Sequence, residues 1–389
     1  MTRKEFLKIC SILGISLPLQ SVFGAEQFID SPKKSVNFKG KILIIGAGAA
    51  GLTAAYRLAQ LGIDFQILEA SPNLGGRMKT VNDFVDFPIP LGAEWLHVEK
   101  SVFNDIVNDA EASIAIETKG YESSDYGLYD GEEISMDDMG FDIDQKFVNS
   151  SWLDFFKTYV VPTIESNKQY NQIVESVTYH SDGVSVATST KEFKATKVIV
   201  TVPVKMLQKK AIRFVPALPE KKLKAIEKVT VWDGFKAFIE FSEKFYPTVI
   251  ETSIRPRKSG QKLYYDASYG QHSERNVLGF LALGTATVPY AELSDQALLQ
   301  YMLKELDALF DGQASEQYLQ HITQNWSREP FIEGAYVYDQ ERWRTVKVLG
   351  QSVNNRLYFA GTSYTDGSDW GSVHAAAKSA LRCVAELLN

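Results

Sequence analysis

The chain has 389 residues, of which 45% are hydrophobic and 23% are charged, and its formal net charge is −7. This is an ordinary globular composition, long enough for a large core and two domains. The acidic balance argues against a nucleic-acid-binding protein. With two cysteines, Cys10 and Cys383, the sequence indicates no disulfide framework, and no cluster of Cys and His indicates a metal.

Residues 1–25 resemble a signal peptide, with a basic start followed by an apolar stretch from Ile9 to about Phe23. The pair Arg3-Lys4 resembles a twin-arginine signal with lysine in the second basic place, so we expect export to the periplasm. Cleavage would remove three basic residues and one acidic residue and leave a net charge of −9. An uncleaved anchor is the alternative, although the short stretch is interrupted by Pro18, which argues against a stable membrane span.

A dinucleotide-binding signature opens the remaining chain. The apolar run 41–45 is typical of a parallel strand buried on both faces, and it leads into a G-x-G-x-x-G turn and a helical pattern over 52–60. A second strand, 65–68, ends in a carboxylate suited to ribose hydroxyls and repulsive to a 2′-phosphate. The predicted nucleotide-binding residues here are Gly46, Gly48, Ala49, Ala50, Gly51, Glu69 and Ala70.

The middle of the chain predicts a second, discontinuous domain. The region 98–167 is interpreted as helix, polar loop, helix. The loop holds nine carboxylates between Tyr121 and Asp144. It is interpreted either as a solvated loop or as an acidic rim that attracts amines. The stretch 232–241 alternates like a strand with one buried face, and Lys236 falls opposite Phe235 and Phe241. The other predicted elements are strands at 171–177, 183–188, 197–202, 279–284 and 321–326, helices at 221–228 and 295–310, and a hairpin-like turn at 334–336.

We therefore predict an α/β fold with two interleaved domains. The run Gly75-Gly76-Arg77 resembles the second glycine motif of FAD enzymes of the glutathione-reductase type. This resemblance implies a Rossmann-like FAD/NAD(P)-binding domain, which would comprise 38–97, 168–220 and 325–389. A substrate domain with a mixed sheet and helices would comprise 98–167 and 221–324.

Five blocks in order, 41–77, 91–97, 171–219, 232–247 and 326–377, resemble the flavin-containing amine oxidase family. The segment Gly92-Ala93-Glu94-Trp95-Leu96-His97 is most similar to its polyamine and spermine oxidase subgroup. The resemblance implies FAD, bound non-covalently because Ala335 stands where monoamine oxidases have the cysteine that links to the flavin.

The resemblance also implies roles for single residues. Lys236 would hold a water near flavin N5, Trp326 would pack beside the flavin, and Tyr336 would form one wall of an aromatic cage whose other wall is Ser372 here. His97 would lie in the substrate tunnel, where a neutral imidazole accepts a hydrogen bond from a substrate amine. The alternatives are a surface lysine at 236 and a packed histidine at 97. Further implied cofactor contacts are Gly76, Arg77, Gly92, Ala93, Glu94, Trp95, Val174, Pro203, Gly361, Thr362, Trp370, Ser372, Val373 and Ala376.

The implied reaction is oxidation of a primary or secondary amine, polyamine-like, to an imine and then an aldehyde, with O₂ reduced to H₂O₂. A FAD-dependent carbon dehydrogenase or desaturase and a non-catalytic flavoprotein are the alternatives. The expected partners are a small amine and O₂, with no nucleic acid and no membrane span in the mature chain. The helical segment between His97 and Val174 is shorter than is usual in the family, so the tunnel would be shallow or completed by a second copy in a homodimer.

Overall fold

The computed structural model describes residues 38–122, 126–136, 144–252, 259–338 and 341–389. The signal predicted in residues 1–25 lies outside the described residues. Gly40–Asn389 form one compact unit. Among the residues described, every helix is too short or too polar to cross a membrane.

In these ranges the strands are, in chain order, β1 (Lys41–Ile45), β2 (Asp64–Leu68), β3 (Thr80–Val81), β4 (Ile89–Pro90), β5 (Trp95–Leu96), β6 (Thr118–Gly120), β7 (Tyr126–Tyr129), β8 (Ile134–Met136), β9 (Gln145–Phe147), β10 (Lys168–Gln169), β11 (Val174–Tyr179), β12 (Val184–Thr188), β13 (Glu192–Ala195), β14 (Lys197–Val200), β15 (Arg213–Val215), β16 (Gly234–Phe241), β17 (Val249–Thr252), β18 (Gly260–Asp266), β19 (Asn276–Gly284), β20 (Tyr318–Asn325) and β21 (Leu357–Phe359).

The α-helices are α1 (Ala49–Gln60), α2 (Ser101–Val107), α3 (Trp152–Tyr159), α4 (Val204–Gln208), α5 (Glu220–Lys228), α6 (Asp295–Leu309), α7 (Gln313–Gln317), α8 (Trp343–Leu349) and α9 (Val373–Leu388), with 3₁₀ turns at Val161–Asn167 and Thr285–Tyr290.

A five-stranded parallel sheet forms the first layer, in the order β10-β2-β1-β14-β21. The central strand β1 is apolar and buried because helices cover the sheet, and α9 packs against α1. The chain leaves β1 toward β2 on one side and returns to β14 on the other. This change of direction is where parallel sheets bind ligands, outside the carboxyl ends of the strands. The Rossmann-like prediction is confirmed.

A seven-stranded mixed sheet forms the second layer, in the order β20-β16-β19-β18-β17-β7-β8. Strand β16 is buried on both faces, so the prediction of one buried face is wrong. The reason is that aromatic clusters cover both sides. Phe235 and Phe241 face one cluster and Phe238 faces the other, beside Tyr265. Lys236 shares the Phe238 face, as the alternation predicted, and is only 2% exposed.

Two other sequence-based expectations need correction. The region 98–167 contains strands β6, β7, β8 and β9 as well as helices, because these short segments pair with β5, with β17 and with one another. Strands β11 to β13 form a separate four-stranded sheet with β15. The stretch 334–336 is irregular, with an isolated bridge between Val231 and Val337 beside it. The division into two domains stays a prediction.

Candidate active site

The glycine-rich turn lies at the carboxyl end of β1 and starts α1. Gly46 has φ +108°, a conformation that favours glycine, and a Cβ on Gly51 would lie 2.0 Å from the Gly46 carbonyl oxygen, so helix and strand approach closely. A Cβ on Gly48 would meet only the Gly75 carbonyl oxygen, at 4.0 Å. Within the described part of the chain no side chain caps the first turn of α1, where Ala49 and Ala50 lie. Open space before an uncapped helix N-terminus suits a pyrophosphate.

Glu69 follows β2 and holds this turn in place. Its Oε2 accepts a hydrogen bond from Ala47 N at 2.6 Å, and its Oε1 accepts one from Ser71 N at 2.9 Å. Burial raises the pKa of the carboxyl, and the backbone hydrogen bonds oppose that rise. Each oxygen keeps a further lone pair, which can accept a hydrogen bond from ribose. Ala70 is the next residue along the chain.

Arg77 joins the first motif to the last. Its guanidinium donates to Thr362 Oγ1 at 2.8 Å and to the Ala335 carbonyl oxygen. Burial lowers its pKa to about 10. Upstream of it, Gly76 lies against Gly48, whose Cα is 3.5 Å from a Cβ built on Gly76. Residues predicted as cofactor contacts from opposite ends of the chain therefore meet at one place.

The segment 90–95 runs beside this place. Ala93 N donates to the Arg77 carbonyl oxygen at 2.9 Å, and the Trp326 indole N–H donates to the Leu91 carbonyl oxygen at 2.8 Å. A Cβ on Gly92 would lie 1.8 Å from the Arg77 carbonyl oxygen and 2.9 Å from the Trp326 ring. The glycine is required because backbone and ring both approach it.

Lys236 reaches the same segment from β16. Its Nζ donates to the Pro90 carbonyl at 2.9 Å, the Gly92 carbonyl at 3.1 Å and Glu94 Oε2 at 2.6 Å. Burial lowers the pKa of Lys236, and the Glu94 charge opposes that change. Lys236 is thus not the surface lysine of the alternative interpretation.

Glu94 is itself the centre of a buried polar cluster that sequence reasoning missed. Tyr265 O–H donates to its Oε2 at 2.5 Å, and Lys146 Nζ lies 3.6 Å from its Oε1. The Trp95 indole N–H donates to the Tyr121 hydroxyl oxygen at 3.0 Å. The Trp95 ring packs edge-to-face with the Tyr265 ring, with 4.9 Å between the ring centroids. Lys146 is the first basic residue after the acidic loop, which is the one sequence signal that could have drawn attention to it.

Tyr336 lies next to the start of α9. Its ring is 3.4 Å from a Cβ built on Gly371. The Ser372 hydroxyl accepts a hydrogen bond from Ala375 N at 3.2 Å and so caps α9, where Val373 and Ala376 are buried. The Trp370 indole donates to the Tyr338 carbonyl oxygen at 2.9 Å. At 372 a small helix cap stands where the resemblance expects a cage wall.

His97 is half-exposed, with a side chain 44% accessible, and its Nδ1 lies 2.8 Å from Asp144 Oδ1. A neutral imidazole with its proton on Nδ1, donated to Asp144, would leave Nε2 as an acceptor. Asp144, also missed by sequence reasoning, immediately precedes β9.

The remaining predicted contacts lie on elements that border the turn. Pro203 caps α4, just after Thr201, whose hydroxyl donates to the Ile45 carbonyl oxygen at 2.8 Å. Val174 opens β11, two residues after Gln172, whose N–H donates to the Glu69 carbonyl oxygen at 2.8 Å. Gly361 N donates to Ser379 Oγ on α9 at 2.8 Å.

This fold and this turn define a protein of the dinucleotide-binding class. The protein-family model described as flavin containing amine oxidoreductase matches residues 163–388, and the family model described as NAD(P)-binding Rossmann-like domain matches residues 44–110. The chain belongs to the flavin-containing amine oxidase family, an enzyme family that uses flavin. The open space at Gly48, the uncapped start of α1 and the lone pairs of Glu69 fit the nucleotide part of FAD.

Among curated proteins, the chain is 24% identical to human lysine-specific histone demethylase 2, over 87% of this chain and 52% of the demethylase. The chain thus spans about half the length of that relative. It is 22% identical to polyamine oxidase 3 of Oryza sativa subsp. japonica, over 88% of each chain. A solved structure of cyclohexylamine oxidase from Brevibacterium oxydans shares the fold, with a TM-score of 0.74 at 13% identity, covering 90% of this chain and 98% of that one.

Proposed function

We propose that this flavin-dependent enzyme oxidises a primary or secondary amine, polyamine-like, to an imine that hydrolyses to an aldehyde, with O₂ reduced to H₂O₂. The observation that carries the proposal is the half-exposed His97–Asp144 pair, in which His97 lies two residues after the segment 90–95. A similar protein covered along 88% of its length is named a polyamine oxidase. Bound flavin supplies the electron acceptor for the amine carbon.

The protein's own residues bind and orient. Glu69 and the start of α1 would hold the adenosine and pyrophosphate, and Arg77 would lie near the phosphates. Trp326 and Tyr336 would border the flavin side of the substrate space, because the first packs on Gly92 and the second on Gly371. Ser372 leaves that space wider than a second aromatic ring would.

His97 and Asp144 would bind a second amino group of the substrate. Asp144 would orient the imidazole through Nδ1, and the Asp144 carboxylate would favour an ammonium group nearby. The reacting amine must be neutral, since a protonated nitrogen has no lone pair to assist loss of hydride from its carbon. We therefore expect kcat/KM to rise with pH through the substrate amine's pKa.

The test compares putrescine with n-butylamine in a peroxide-release assay. Losing one hydrogen-bonded contact of about 0.5 to 1.5 kcal/mol raises KM about 2- to 12-fold. Asp144→Asn should do this for putrescine and leave n-butylamine unchanged. The control is Asp295→Asn, which removes the acid of another His–Asp pair, His321–Asp295 at 3.3 Å. Equal effects on both amines would contradict the diamine proposal, and no peroxide from any amine would contradict the oxidase proposal.

Export by way of residues 1–25 and the homodimer remain proposals as well. They are tested by cell fractionation with N-terminal sequencing of the mature chain and by light scattering of the purified protein. A full-length chain confined to the cytoplasm would contradict the first, and a monomeric mass would contradict the second.

A further inference from the structure

The donors of Lys236 are fully matched by protein acceptors. An ammonium group has three N–H donors, and the carbonyls of Pro90 and Gly92 and the carboxylate of Glu94 accept at 2.9, 3.1 and 2.6 Å. A water between Lys236 and a flavin, the role that the resemblance implies, requires one of these contacts to open. In this geometry all three Lys236 donors hold segment 90–94 in place.

Glu94 serves a second cation at the same time. Lys146, 3% exposed, places its Nζ 3.6 Å from Glu94 Oε1 and donates to the carbonyls of Asp266 at 3.2 Å and Ala267 at 2.5 Å. Trp95 pairs with Lys146 in the register of β5 and β9, so the second lysine reaches Glu94 from the strand next to the anchored segment. One buried carboxylate thus lies between two buried ammonium groups.

We propose, on the basis of the function proposed above, that Glu94 is the positioning residue of the active site: it keeps Lys236 and Lys146 charged and so holds segment 90–94 against the cofactor site. The segment reaches that site through Gly92, which packs on the Arg77 carbonyl and the Trp326 ring. A buried ammonium group without a partner is strongly unfavourable and releases its proton instead.

Few titratable or charged side chains face the cluster of Glu94, Lys236 and Lys146. The titratable and charged side chains facing it are Tyr265 on β18, Tyr121 after β6, and Asp266, which is paired with Lys244 at 2.7 Å. Burial and the Glu94 charge raise the pKa of both tyrosines, so they stay neutral. Glu94 is therefore the carboxylate in direct contact with the two lysines.

The experiment follows thermal unfolding of the full-length chain, with FAD present, in wild type and Glu94→Gln from about pH 6 to about pH 10. At the lower pH the two lysines of the variant must either stay charged without a carboxylate partner or give up protons that they hold firmly in the unfolded chain. Either cost destabilises the folded state, so the Tm deficit is large. At the higher pH the lysines lose protons readily, and the deficit falls to half or less. Adding Lys236→Met to Glu94→Gln should recover part of the Tm deficit at the lower pH. If Glu94→Gln alone does not fold, the double variant is measured in its place, and folding of the double variant alone supports the proposal.

The matched control is Glu240→Gln. Glu240 is 2% exposed, lies on β16 with Lys236, and pairs with the Arg275 guanidinium at 3.0 Å, so its partner is an arginine and not a lysine. Its Tm deficit should not change with pH. FAD affinity should fall in Glu94→Gln and not in Glu240→Gln. A pH-independent deficit in Glu94→Gln, or FAD affinity equal in both variants, would overturn the proposal. These measurements involve no amine, so their failure is distinct from a failure of the proposed oxidase activity.

Discussion

Replacing Gly48 with alanine should separate cofactor binding from folding. Gly48 has φ −81° and ψ −175°, which alanine adopts without strain, and the new Cβ would meet only the Gly75 carbonyl oxygen, at 4.0 Å. The apoprotein should therefore lose about 1 kcal/mol or less. The methyl group enters the space where the pyrophosphate would lie. Overpacking of about 1 to 3 kcal/mol corresponds to a roughly 5- to 150-fold weaker FAD affinity.

The assay titrates apoprotein with FAD by flavin fluorescence and follows apoprotein unfolding by circular dichroism. Gly51→Ala, whose Cβ would lie 2.0 Å from the Gly46 carbonyl oxygen, should damage both stability and affinity. Gly120→Ala, which meets nothing within 4 Å, should damage neither. If Gly48→Ala binds FAD as tightly as the wild type, the cofactor does not lie against this turn and the reasoning is refuted.

Three further predictions concern buried charges. Glu69→Ala leaves the Ala47 and Ser71 N–H groups without their acceptor and should lower the free energy of unfolding by about 2 to 4 kcal/mol, measured in urea; no change would contradict the role of Glu69. Burial lowers the pKa of Lys222 from 10.5 to about 7, so between these two pH values the unfolded chain binds more protons than the folded chain. The contribution of Lys222 to the free energy of unfolding therefore rises with pH over this range, by about 5 kcal/mol at most. Lys222→Met should lose this part of the slope of Tm against pH. Lys236→Met should slow reduction of the bound flavin by amine, or its reoxidation, by about tenfold, a barrier increase near 1.4 kcal/mol, in stopped-flow measurements; if neither half-reaction changes, Lys236 is purely structural.

Local patterns predicted the nucleotide end of the molecule well. The strand 41–45, the helix after Gly48 and the strand ending at Leu68 all form, because apolar runs, glycine spacing and helical periodicity act over short distances. The strands within 98–167 were missed, since β6 to β9 have only three or four residues each and form by pairing with other strands.

The candidate site was predictable only where a single residue type is required. The orientation of Lys236 follows from alternation along β16, whereas its burial depends on the second aromatic cluster, and Gly92 is required by close packing. The partners of Glu94 come from 52, 142 and 171 residues away, as shown by Lys146, Lys236 and Tyr265. Such contacts depend on the assembled sheets, and no local pattern in the sequence carries them.

The measurement that tests the account most directly is an anaerobic absorption spectrum of the purified protein, mixed in turn with spermidine, putrescine, a phenylethylamine, an L-amino acid and an N-methyl-lysine peptide. The account predicts an oxidised-flavin band that putrescine or spermidine bleaches. A flavin band that no amine bleaches would contradict amine oxidation and favour a carbon dehydrogenase or a non-catalytic flavoprotein. A protein that neither contains nor takes up flavin would contradict the central claim.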